Sequence, residues 1–95
     1  MTILERLQAW YASECNGDWE HSWGIVIDTL DNPGWTVKID LNGTELAEKA
    51  FDPVKIKQSE QDRIFATKAE GQFKIACGPG SLENAPGIFC DWAGF

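Results

Sequence analysis

Four consecutive residues, Asp18-Trp19-Glu20-His21, put two carboxylates, an indole and the chain's only histidine side by side. Carboxylate and imidazole together are the ligand set of divalent-metal sites, and paired carboxylates with a histidine suit general acid–base hydrolysis. Asp28 and Asp31 follow within ten residues and enlarge the candidate cluster. Spacing gives this chemistry little help, because adjacent Glu20 and His21 point to opposite faces if the chain is extended. One histidine cannot supply a zinc site with Cys15, Cys77 and Cys90, which show no C-x-x-C spacing. No nucleophile motif surrounds any cysteine, and no phosphate-cradling glycine pattern occurs. Two other readings stand beside the catalytic one. The cluster is a polar network that ties the fold together, or it is a contact surface in which Trp19 and Trp23 act as aromatic anchors among polar groups.

The elements that position these residues are legible in part. Thr2 and Glu5 form a capping box, and Ile3, Leu4, Leu7, Trp10 and Tyr11 recur at spacings of three and four, so residues 2 to about 15 read as an amphipathic helix with its stripe in the core. Asn16-Gly17 ends it. Residues 23–30 read as a strand, with Asp28 on the face opposite Ile25, Ile27 and Thr29. Asp31-Asn32-Pro33-Gly34 reverses the chain, with Gly34 expected at positive φ. Trp35, Val37, Ile39 and Leu41 then alternate inward, giving an antiparallel hairpin.

Asn42-Gly43 is a strong hairpin signal leading into Thr44-Glu45-Leu46. Phe51, Val54 and Ile56 suggest a short lysine-rich edge strand after Pro53. Residues 63–68 and 72–77 form a second hairpin across Ala69-Glu70-Gly71. Ser81 is expected to cap a final helix bearing Leu82, Ala85, Phe89 and Trp92, interrupted by Pro86-Gly87. The expected fold is therefore α+β in one domain, residues 1–95: an N-terminal helix, an antiparallel sheet of about four to six strands built from hairpins, and a short C-terminal helix.

Composition narrows the function. The net charge of -7 is uneven: residues 1–37 hold six carboxylates against Arg6 alone, whereas residues 38–95 hold nine against seven bases. An acidic, tryptophan-rich half repels phosphates, which argues against nucleic-acid binding and favours a basic partner. Acidity that serves only solubility is the bland alternative. No apolar run reaches the roughly 20 residues of a membrane span. The opening Met1-Thr2-Ile3-Leu4-Glu5-Arg6 lacks the pattern of a signal peptide, so a cytoplasmic location with buried free thiols is expected.

Leu7-Gln8-Ala9-Trp10-Tyr11, the run from Cys15 through Asp18-Trp19-Glu20-His21-Ser22-Trp23 to Ile25, and Thr29-Leu30-Asp31-Asn32-Pro33-Gly34-Trp35 resemble the bacterial immunity protein 53 family. The likeness continues through Ile39–Thr44 and returns at Gly78-Pro79 and Ile88-Phe89-Cys90-Asp91-Trp92, with Ala85-Pro86-Gly87 as the departure. This resemblance implies a non-enzymatic antidote that occludes the toxin domain of a polymorphic toxin system; a monomer or weak homodimer with no cofactor or metal is expected. The acidic half fits a basic toxin such as a nuclease. Asp18, Trp19, Glu20, His21, Asp28, Asp31 and Asn32 are the candidate toxin-binding residues, chosen as polar or aromatic and clustered. A small metal-dependent hydrolase using Asp18 to His21 is the alternative.

Overall fold

A computed structural model describes all residues, 1–95. It begins with helix α1, Ile3–Glu14, whose Thr2 hydroxyl accepts from the Glu5 amide while the Glu5 carboxylate accepts from the Thr2 amide, at 3.0 Å each. The box read from sequence is therefore formed. A four-residue helical turn, α2 (Trp19–Ser22), leads to strands β1 (Ile25–Leu30), β2 (Gly34–Asp40), β3 (Val54–Lys57), β4 (Arg63–Ala69) and β5 (Gln72–Cys77). Helix α3, Pro86–Ala93, closes the chain. No helix is long and apolar enough to cross a membrane.

The strands form one antiparallel sheet in the order β1-β2-β5-β4-β3, which establishes the α+β class. Directly paired residues share a face. Val37 lies between Ile27 and Ile75, and Ala66 continues the row, so one face is an apolar floor. Leu7 and Trp10 of α1 and Phe89 and Cys90 of α3 pack on that floor with Val37, Ile39, Phe73, Ile75 and Cys77. Trp10 meets Phe89 edge to face at 4.9 Å, and Phe89 meets Phe73 at 5.2 Å. The opposite face is open and carries Thr36, Lys38, Phe65, Thr67 and Lys74.

Several expectations are corrected. Asn42-Gly43 does not start a hairpin: residues 42–48 form successive turns, because the neighbour of β2 is β5, whose Gln72 pairs with Asp40. The two-residue turn that does join neighbouring strands is Glu70-Gly71, at φ 55° and 76°. Gly34 is not at positive φ. It is required by space, since a Cβ there would lie 2.4 Å from the Cys77 carbonyl oxygen. Ser81 does not cap α3. The helix starts at Pro86, where the missing N–H of a first-turn proline costs nothing, and residues 82–85 form turns before it. Gly94, at φ 81°, ends it.

The α1 stripe is only partly core. Leu7 and Trp10 are buried, but Leu4 is 66% exposed and Tyr11 36%. The helical layer stops short of β1. Of the three free thiols, Cys77 and Cys90 are buried as expected, whereas Cys15 is exposed.

Candidate functional site

The stretch from Cys15 to Trp23 folds on itself through its own polar side chains. Asn16 Oδ1 accepts from the amides of Asp18 and Trp19, both at 2.9 Å, an Asx arrangement that starts α2. Glu20 reaches back, its two carboxylate oxygens accepting from the amides of Asn16 (2.9 Å) and Gly17 (2.8 Å). Gly17, at φ 90°, makes the reversal possible. Its own amide and those of Asn16 and Gly17 hold the Glu20 carboxyl below its ordinary value, and His21 adds a smaller pull. Both Glu20 oxygens are thus engaged within this knot.

Trp19 is buried beneath the knot. Its ring packs edge to face on Trp10 at 5.8 Å and on Tyr11 at 6.0 Å, and its indole N–H donates to the Asn42 carbonyl at 2.8 Å. The turn at Asn42-Gly43, misread as a hairpin, serves here as the floor under Trp19. A Cβ on Gly43 would stand 3.2 Å from the ring. Trp19, a candidate contact residue, is only 6% exposed, while Trp23 is 39% exposed.

The seven candidate residues do not form one cluster. Asp18 precedes α2 and Glu20 and His21 lie on it, at the start of β1; Asp31 and Asn32 lie at the far end of β1, roughly 20 Å away given the rise of a six-residue strand. Asp28 stands between them on the open sheet face, its Oδ1 accepting from the Thr29 amide at 2.8 Å. Asp18, His21, Asp28, Asp31 and Asn32 are exposed. At the far end the Arg63 guanidinium donates to the carbonyls of Asn32 and Pro33 at 3.1 Å, so Asn32 also braces the hairpin tip.

The Asp18 to His21 stretch does not gather a metal-ligand set. No three His, Cys, Asp or Glu side chains converge as metal ligands. His21 is exposed beside Glu20, whose oxygens are committed to backbone amides.

Electrostatically the α1–α2 side is acidic, and its one local base is engaged. Arg6, the lone base of residues 1–37, is tied to Asp91 at 2.7 Å and to the Phe95 carbonyl at 2.9 Å, which links α1 to α3. Lys38, Lys55, Lys57 and Lys74 lie on the open sheet face and the β3 edge, Lys38 directly opposite Val26 on the face that carries Asp28.

The sequence reading missed a groove of about 350 Å³ between α1 and β1, lined by Leu4, Leu7, Gln8, Tyr11, Gly24 and Ile25. Along the same strand, Ile27 is 44% exposed on the groove side and Val26 57% on the open face. Two signals pointed there: an apolar stripe on α1 wider than a two-residue contact needs, and three consecutive branched residues, Ile25-Val26-Ile27, where a half-buried strand would alternate. Asp40 was also missed; it accepts from the Gly24 amide and from Gln72 Nε2, joining β1 to β5 across β2.

Comparison with known proteins adds one finding. Residues 4–94 match the family model described as Immunity protein 53. No curated protein and no solved structure matches the chain.

Proposed function

The chain belongs to the immunity protein 53 family, and from that premise we propose that it neutralises the toxin domain of a bacterial polymorphic toxin by stoichiometric occlusion. Membership implies an immunity protein with a protein toxin as its partner and suggests a non-enzyme. The match over residues 4–94 is the observation that carries the reading. Binding covers the toxin's active site or a surface beside it, without turnover, in the cytosol that the toxin would damage. The acidic α1–α2–β1 side is the contact surface, with Asp18, His21, Asp28 and Asp31 as its exposed polar groups and Trp19 and Glu20 as the support beneath. The uneven charge supports a basic toxin domain, such as a nuclease, since opposite fields accelerate encounter and fix orientation.

Co-expression with the toxin domain encoded beside this gene tests the reading. Rescued growth and a one-to-one complex whose affinity falls with salt are expected. Undiminished toxicity with no complex would overturn it.

A further inference from the structure

The sheet has two edges, and they are built differently. The β3 edge is four residues long, follows Pro53 and carries Lys55 and Lys57, the features that discourage strand pairing. The β1 edge is six residues long and reads Ile25-Val26-Ile27-Asp28-Thr29-Leu30, with one charge and no proline. It is unguarded.

Its backbone geometry follows from the register. Gly24 continues the β1–β2 pairing opposite Asp40, and the Asp40 amide donates to the Gly24 carbonyl at 3.0 Å. Bonded pairs recur at every second residue, so Val26, Asp28 and Leu30 turn their N–H and C=O groups toward β2. Ile25, Ile27 and Thr29 turn theirs to the free edge. The Thr29 amide is taken up by the Asp28 carboxylate, which leaves Ile25 and Ile27 to offer an open ladder. On the helix side this ladder borders the groove under Leu4 and Tyr11. On the open side it borders Val26 and Asp28.

We infer that β1 receives an extended, basic segment of the toxin domain as a sixth strand. The inference rests on the toxin-binding reading above and assigns its contact. The added strand bonds to the backbone of Ile25 and Ile27, and alternate apolar side chains enter the groove. On the other face a lysine or arginine meets Asp28. Charge selects this occupant over a second copy of the chain. Two copies that each carry -7 repel, whereas opposite charge draws a basic segment in.

Ile27→Pro deletes the outward N–H without touching the β1–β2 ladder, while Ile27→Thr shortens the side chain and keeps the N–H. Against the neighbouring toxin domain in titration calorimetry, Ile27→Pro is expected to weaken binding by roughly ten- to a hundredfold, because a buried bond is left unmade, whereas Ile27→Thr stays within about fivefold. Hydrogen exchange on the wild-type complex decides independently of whether the proline variant folds: the amides of Ile25 and Ile27 slow on binding. Unchanged exchange there, or equal affinity for a folded Ile27→Pro, overturns strand addition and leaves toxin binding intact. No complex with the wild type removes both. A free homodimer that Ile27→Pro dissociates assigns the edge to a second copy and overturns the occupant named here.

Discussion

Truncation of Trp19 separates a structural role from a contact role in the stretch where the sequence leaves both open. The indole is 6% exposed, lies against Trp10 and Tyr11, and donates to the Asn42 carbonyl. Removing a buried tryptophan side chain costs about 3–5 kcal/mol. In a domain of this size each kcal/mol lowers the melting temperature by about 4–8 °C, so Trp19→Ala should lose at least about 12 °C. Trp19→Phe keeps most of the packing but strands the Asn42 carbonyl, a cost of about 1–3 kcal/mol. Its melting temperature should therefore fall between those of the wild type and Trp19→Ala. Asp18→Ala, one residue away and exposed, should stay within about 0.5 kcal/mol of the wild type. Thermal unfolding followed by circular dichroism measures all three. A Trp19→Ala variant that melts within about 2 °C of the wild type yet no longer binds toxin would refute the reasoning, because the ring would then be an anchor that the partner reaches.

Gly34→Ala should destabilise the protein by about 1–3 kcal/mol, read by urea unfolding, since its Cβ would meet the Cys77 backbone carbonyl and neither strand can move aside cheaply. In the native protein Cys15 should be alkylated readily, while Cys77 and Cys90 react only on unfolding, because burial both shields their thiols and pushes their pKa values up; mass spectrometry after brief labelling reads this. Glu5 and Glu20 are held below their ordinary value of 4.5, the first by the Thr2 amide and hydroxyl, the second by backbone amides. Their contribution to stability is full above that value and is lost as pH falls through the lower folded values. Glu20→Gln should therefore flatten the loss of melting temperature below about pH 4.5.

What was legible in the sequence was local. The Thr2–Glu5 box, the alternation of Trp35 to Leu41 and the tight reversal before Gln72 each depend on chemistry within a few residues, and each is present. The Asn42-Gly43 signal was a sound turn signal attached to the wrong partner, since nothing local says that β2 pairs with β5 and that the turn instead floors Trp19. Gly34 was assigned the right residue type for the wrong reason: its constraint is Cys77 on the neighbouring strand β5, distant in sequence. The α2 turn was invisible because Asn16 and Glu20 build it by exchanging bonds with backbone, a pattern that period counting does not register. Of the candidate site, the acidic exposed residues were readable from composition. The open β1 edge and its groove were not, because exposure of an apolar run depends on how far α1 and α3 extend over the sheet.

Titrating toxin activity with the purified protein tests the central claim most directly. A stoichiometric antidote predicts a linear fall in activity that ends sharply at one equivalent of protein per toxin domain and does not progress with time. Inactivation that proceeds at a small fraction of an equivalent would show turnover, and full activity in excess protein would show that this chain is not the toxin's antidote.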